Sequence, residues 1–257
     1  MITTAHIAQY LNEILDIANI PDYPNALNGL QLANQRDVTK IAAAVDFSSQ
    51  TIAGAIDAGA DLMIVHHGMF WGGLQRLQGP AYARLKMLIE NNVGVYASHL
   101  PLDRHSVYGN NVLLASELGI LPTGEFAKYK TISIGVRGEG EIQTTELYER
   151  ASLLARTNGG TARTTPISTR QVTRSWAICT GGGASTETLR EAAEIGIDTL
   201  IVGEGAHHTA IEANELGITV IYAGHYATET LGVRAISAHI GERYGLPWTF
   251  IEAPTGL

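Results

Sequence analysis

At 257 residues the chain is long enough for one large domain or two smaller ones, and it buries a substantial core in either case. Its 45% hydrophobic and 16% charged residues, mean hydropathy of +0.06 and lack of any apolar run near the ~18 residues of a membrane helix exclude a membrane protein. A formal net charge of −8 with no basic block argues against nucleic acid or anionic lipid, leaving a small molecule or another copy of the chain as partner.

The opening "MITTAHIAQYLNEILDIAN" lacks a basic start followed by a continuous apolar stretch, so it reads as an amphipathic helix and not an export signal. With Thr3 or Thr4 as cap, Ile7, Tyr10, Leu11, Ile14 and Leu15 fall on one stripe. The single cysteine, Cys179, can form no internal disulfide, which fits a cytoplasmic location. Asn28-Gly29 then marks a turn. Next come a strand "IAAAV", a helix "SSQTIAGAIDAGA", a strand "LMIV", a helix "YARLKMLIENN", a strand "VGVYAS" and a helix "NNVLLASELG". This alternation predicts α/β architecture with mostly parallel sheets. "ILPTGEFAKYK" interrupts the pattern. Beyond it "TISIGV" reads as a strand, "TTELYERASLLARTN" as a helix and "SWAICT" as a strand, and Gly181 to Gly183 turn into a further helix. The expected division is a first α/β unit over 1–124 and a second over 125–257, the C-terminal helix being free to pack back on the first.

The second half repeats the first. "AIDAGADLMIVHHG" aligns with "AAEIGIDTLIVGEG" at a constant offset of 137 residues, Val65 to Val202. "VYASHLPLD" aligns with "IYAGHYATE" at an offset of 126, His99 to His225. Repetition at this scale predicts two related three-layer units. It also aligns chemistry: His99 with His225, Asp103 with Glu229, and the His66-His67 pair with Gly203-Glu204.

Side chains beyond the carboxyl ends of parallel strands face the crevice where ligands bind, and His66, His67, His99, Asp103, Glu204, His225 and Glu229 all follow expected strands. Imidazoles with carboxylates suit zinc, iron, manganese or nickel. Neighbouring side chains on an extended chain diverge, so His66 and His67 are expected to serve two metals and not one. In such a dinuclear site Asp103 and Glu229 would bridge, and His66, His67 and His225 would be terminal ligands. His99 and Glu204 are candidates for proton transfer, with Glu204 also able to orient a histidine and Asp46 able to orient a ligand or cap a helix.

Several residues have plainer readings. His6, His105 and His239 lie on or near helices without an acidic partner in register, and His207-His208 sits at a helix start, where capping or exposure is expected. The Gly181 to Gly183 turn lacks the lysine of a phosphate-binding loop. Phe70 and Trp71 could wall a flat substrate or pack in a core.

Taken together, "NGLQ" at 28–31, "VHHGMFW" at 65–71, "HLPLD" at 99–103, "GNN" at 109–111 and "AGHYATE" at 223–229 resemble the Nif-three-like proteins, whose members are often named GTP cyclohydrolase I type-two homologues. The motifs cover nearly the whole chain. The resemblance implies a two-metal centre held by His66, His67, Asp103, His225 and Glu229, placed between two α/β units. It further implies a ring-shaped homohexamer with its metal sites reached from the interior. The expected function is a dinuclear metal-dependent hydrolase of a small molecule, cyclohydrolase or phosphoester chemistry being subclasses. A non-catalytic metal-binding scaffold or a metal storage or delivery protein is the alternative.

Overall fold

In a computed structural model, which describes residues 2–168 and 170–257, the chain alternates strands and helices. The order is α1 (Thr4–Ile14), β1 (Gly29–Leu32), β2 (Ile41–Asp46), α2 (Ser49–Asp57), β3 (Leu62–His67), α3 (Pro80–Asn91), β4 (Gly94–Ala97), α4 (Leu100–Asp103) and α5 (Asn110–Glu117). It continues with β5 (Gly124–Tyr129), β6 (Ile132–Gln143), α6 (Thr144–Thr157), β7 (Arg163–Thr164), β8 (Val172–Cys179), α7 (Thr186–Glu194), β9 (Thr199–Val202), α8 (His207–Leu216), β10 (Thr219–Tyr222), α9 (His225–Tyr244) and β11 (Trp248–Phe250). Two compact units result, Met1–Leu102 with Gly232–Ala253, and Asp103–Leu231 with Pro254–Leu257. The division falls at Leu102, ahead of the expected break after 124. Helix α5 is the reason: Leu114, Ala115 and Leu118 pack with Trp176 and Ile178 of β8 in the second unit.

The first unit has a sheet of order β1-β4-β3-β2-β11. Strands β11, β2, β3 and β4 run parallel and only edge strand β1 is antiparallel. Side chains alternate across it: Ala42, Ala44, Met63, Val65, Val95 and Ala97 pack on Ile52 and Ala55 of α2 and Leu88 of α3. Tyr96 faces the other way, its hydroxyl donating to Asn12 of α1 at 3.0 Å. Helix α1 starts where Thr3 accepts from the His6 N–H, and it buries Ile7 and Leu11 completely. The Asn28-Gly29 signal is a strand start and not only a turn, with Gly29 at φ +111° opening β1.

The second unit has a sheet of order β5-β6-β8-β9-β10-β7. Its centre, β8-β9-β10, is parallel, while β5, β6 and β7 pair antiparallel. "GEFAKY", expected as an interruption, is strand β5, and "TISIGV" is the start of a strand running to Gln143. Both miss strict two-residue alternation, β6 because its pairing with β8 shifts register between Glu139 and Ile142. One face packs Ala177, Leu200 and Val220 on Leu189 of α7 and Ala213 of α8; the other packs Trp176, Ile201 and Ile221 on α5 and on Leu147 and Ala151 of α6. Three layers follow directly.

The repeat extends to residues that do no chemistry. Ser48 and Thr51 form a reciprocal capping box on α2, and Ser185 and Thr188 form the same box on α7. Thr51 Oγ1 also donates to the Asp46 carbonyl and Thr188 Oγ1 to the Gly183 carbonyl, each at 2.8 Å. Asp61 Oδ2 accepts from the Thr39 and Lys40 N–H groups, as Asp198 Oδ2 does from those of Arg174 and Ser175. No helix among the described residues is long and apolar enough to cross a membrane.

Candidate metal centre

In the first unit, parallel pairing brings the carboxyl ends of β2, β3 and β4 to one edge of the sheet, and these ends carry Asp46, His66-His67 and Ser98-His99. His66, His67 and His99 are buried, at 1%, 7% and 8% exposure. One ring nitrogen of each lies within 4.8 Å of one from each of the others, a group able to hold a metal ion. The adjacent pair stays closer than expected: the His66 and His67 ring centroids are 4.7 Å apart, with His67 at the last position of β3 in register with Asp46.

Each ring is tied through Nδ1. His66 Nδ1 meets the Ser98 carbonyl at 2.9 Å, His67 Nδ1 meets Asp46 Oδ1 at 2.8 Å, and His99 Nδ1 meets Asp22 Oδ1 at 2.9 Å. A carbonyl or ionised carboxylate only accepts, so the proton sits on Nδ1 and Nε2 carries the lone pair able to bind a metal. Asp46 therefore orients His67, while Ser48 caps α2.

The "NGLQ" segment braces this trio from below. Asn28 Oδ1 accepts from the His99 N–H at 2.8 Å, and its amide donates to Asp22 Oδ2 at 2.8 Å. Gln31 donates to the Ala26 and Leu27 carbonyls and accepts from the Met69 N–H at 2.7 Å, which fixes the turn after His67. Gly68 is required there, since a Cβ would lie 2.3 Å from the Gln31 amide. Sequence reasoning missed Asp22. Burial raises its carboxyl pKa, but hydrogen bonding and charge from His99, with donors from Asn28 and Tyr23, more than offset this and hold it below the usual range. Trp71, 38% exposed, packs against two of the three, its ring 4.6 Å from His67 and 4.5 Å from His99.

In the second unit the parallel ends of β8, β9 and β10 lead to Thr180-Gly181, Gly203-Glu204 and Gly224-His225. His225 starts α9, and one turn later Glu229 Oε2 lies 3.2 Å from its Nε2, while Glu204 Oε1 lies 2.9 Å from its Nδ1. Burial lowers the His225 pKa, but hydrogen bonds and charge from Glu229 and then Glu204 outweigh it and raise the value to about 9. Asp103, 5% exposed, accepts at Oδ1 from Asn110 at 2.8 Å and from Thr180 at 3.4 Å. Asn111 donates to the Asp103 and Ile134 carbonyls and accepts from the Thr180 N–H, so the two asparagines of "GNN" hold this carboxylate in place.

The glycine turn serves the same acids. At Gly181, φ +61°, a Cβ would lie 2.1 Å from Glu229 Oε1, and at Gly183 one would lie 2.0 Å from the Cys179 carbonyl. The Gly181 N–H is spent on Thr228 Oγ1 at 3.1 Å, so packing accounts for the glycines. Burial, with the charges of Asp103 and Glu229, pushes the Cys179 thiol up to about 12. A cavity of about 410 Å³ is bordered by Arg163, Glu204, His207, Tyr222 and Gly224. Glu204, 44% exposed in its side chain, reaches both this cavity and His225.

The remaining histidines have structural partners. His239 bonds the Tyr10 hydroxyl at 2.7 Å, His105 Nδ1 accepts from the Val107 and Tyr108 N–H groups, and His6 packs edge-on against Tyr244. His207 and His208 are exposed at the first turn of α8.

The family model described as Duf34/NIF3 (NGG1p interacting factor 3) matches residues 2–255. This chain belongs to the Duf34/NIF3 family. A Deinococcus radiodurans member named GTP cyclohydrolase 1 type 2 homolog is 38% identical over 258 residues, covering 98% of this chain and 93% of the relative. Among solved NIF3-like structures, protein ybgI, described as of unknown function, superposes with a TM-score of 0.88 at 35% identity over 100% of both chains. TTHA1606 from Thermus thermophilus follows with a TM-score of 0.86 and 34% identity, again over 100% of both. The two α/β units are thus the NIF3 architecture, and the buried histidine group fits a metal ion.

Proposed function

We propose that the chain is a dinuclear metal-dependent hydrolase of a small molecule, with His66, His67, Asp103, His225 and Glu229 as metal ligands. One observation carries this reading: His66, His67, His99 and His225 are all tied at Nδ1 to an oxygen acceptor, the arrangement that orients metal-binding imidazoles. The nitrogen and oxygen donor set suits zinc, iron, manganese or nickel. A metal pair supplies Lewis acidity and makes water acidic enough to be a nucleophile near neutral pH.

The chain's own residues do the rest. Asn110 and Thr180 aim Asp103, Gly181 leaves room for Glu229, and Asp46 and Glu204 orient the rings of His67 and His225 through Nδ1. Glu204 faces the cavity and accepts a proton at Oε2, and His99 is the other candidate for proton transfer. The cavity's volume falls in the range of small-molecule sites. The name carried by the relatives points to ring-opening hydrolysis of a nucleotide as the subclass. We place the reaction in the cytoplasm, in keeping with a single buried cysteine, and assign the chain to a ring-shaped homohexamer. Exposed Leu74, Leu77, Tyr82 and Ile89 on one stretch of the first unit support self-association.

The test is metal analysis of tag-free protein purified without chelator, beside His66→Ala, Asp103→Ala and Glu229→Ala, with hydrolysis of GTP and of an aryl phosphate followed in parallel. Two metals per chain, with metal and turnover lost together in the folded variants, are expected. Turnover that survives in variants emptied of metal would sink the proposal.

A further inference from the structure

We infer that the cavity of the second unit binds a small organic oxyanion, a phosphate ester or a carboxylate, with its charged group on Arg163 and its body directed toward Glu204. This rests on the hydrolase reading above for the role of the cavity, and deepens it, because that reading assigns no residue to the substrate's own charge.

Sheet order places the two residues. Strand β10 lies between β9 and β7, and Tyr222 at its carboxyl end pairs with Val202 on one side and with Arg163 on the other. Neighbouring strands lie about 4.8 Å apart, so the backbones of β9 and β7 are roughly 10 Å apart. Glu204, just after β9, and Arg163 on β7 therefore flank a slot one strand wide. Directly opposed residues of an antiparallel pair share a face, which sets the Arg163 side chain beside that of Tyr222. Although β7 has only two residues, it is firmly held. The Thr165 N–H donates to the Val220 carbonyl at 3.0 Å, the Val220 N–H donates to Thr165 Oγ1 at 2.9 Å, and Thr164 Oγ1 reaches the Val220 carbonyl at 3.0 Å.

Charge then selects the occupant. Among the described lining residues Arg163 is the one lysine or arginine, and Glu204 is the one acidic side chain. Leu257, also in the lining, spends its carbonyl on the Tyr226 N–H at 3.2 Å. Arg104, Arg150, Arg174 and Arg190 of this unit each have a glutamate no more than 3.7 Å away. Arg163 has no such acid among the described residues; its guanidinium bonds only the Ala162 carbonyl, at 3.3 Å. In a chain of net charge −8, such an arginine at the carboxyl edge of parallel strands is placed for an anion from outside. Its planar fork takes two oxygens of one phosphate or carboxylate. Glu204 repels the same group, so the bound molecule is oriented, with charge at β7 and its uncharged part at Glu204. Thr161, Ala206 and Ala210 add small walls, and about 410 Å³ suits a compact organic body better than a bare ion.

Phenylphosphonate, whose carbon–phosphorus bond resists hydrolysis, and benzoate are the probes: one ring with two different oxyanions. Calorimetry follows their binding to the full-length protein and to the Asp103→Ala/Glu229→Ala double variant, in which no metal pair competes for the oxygens. Arg163→Ala is expected to weaken at least one probe by about tenfold or more in both backgrounds, and Arg163→Lys to recover part of the loss. The probe that responds names the oxyanion. In turnover of an aryl phosphate, Arg163→Ala should raise KM about tenfold with a smaller change in kcat. Thermal melts identify any variant that fails to fold, and if the double variant does so, the comparison of Arg163→Ala with the otherwise unaltered chain decides.

The two readings fail separately. Equal affinity of Arg163→Ala and the unaltered chain for both probes, or no binding of either probe to the unaltered chain, overturns the inference even if metal and turnover vanish together in Asp103→Ala. Binding that depends on Arg163 in a protein that hydrolyses nothing sustains the oxyanion site and removes the hydrolase reading.

Discussion

His225 sits between two carboxylates, and this makes a proton and a metal compete for one nitrogen. Its pKa in the metal-free fold, about 9, lies above the ordinary 6.5, so the folded state holds a proton that the unfolded chain releases. The resulting stabilisation is complete below pH 6.5 and is lost as pH rises through about 9. Melting temperature of chelated protein should therefore fall across that window, and Glu204→Gln should flatten the slope. Metal affinity should run the other way, rising with pH and releasing a proton to the buffer, which calorimetry in buffers of different ionisation enthalpy would register. At Gly181 a methyl group would collide with Glu229 and a left-handed backbone would carry a side chain. Gly181→Ala is expected to cost about 1–2 kcal/mol in urea denaturation and to weaken metal binding. The histidines and acids were legible because each follows a strand run. Asp22 was not, nor were the roles of Asn110 and Asn111 within the "GNN" motif, since what they do depends on partners such as His99 and Thr180, 77 and 69 residues distant along the chain.

Elements were legible where the period was clean. The buried runs of β2, β3 and β8, the stripe of α1 and the helix α6 stand where the sequence pattern places them. Strands β1 and β5 escaped because each is an edge strand, half solvated and without a continuous apolar run. The aspartates ahead of β3 and β9 show what holds such elements. Asp61 is 3% exposed and accepts from two backbone N–H groups, the Thr39 hydroxyl and the Arg36 guanidinium. Asp61→Ala strands those donors, and a loss of about 2–4 kcal/mol is expected by denaturant titration. Arg36→Ala, which removes only the half-exposed partner, should cost less than about 1 kcal/mol.

At the scale of the whole molecule, two related units are legible in the sequence because two aligned blocks recur in the same order, at offsets of 137 and 126 residues. The boundary was harder to read: α5 follows β4 in the chain yet packs its apolar face on β8, a tertiary preference that periodicity does not encode. Assembly is testable at this scale. Sedimentation should report a hexamer, and Leu74→Glu with Leu77→Glu should shift it toward smaller species while leaving the helical content of the folded chain unaltered. The matched serine–threonine boxes and paired aspartates carry a historical consequence. Where one half places two imidazoles, the other has a glycine and an acid, yet both kept the same helix locks and strand clamps. Ancestry in this chain is therefore written in its scaffolding, and divergence in its reactive groups. A search for further descendants of the single ancestral half should follow the locks and clamps first.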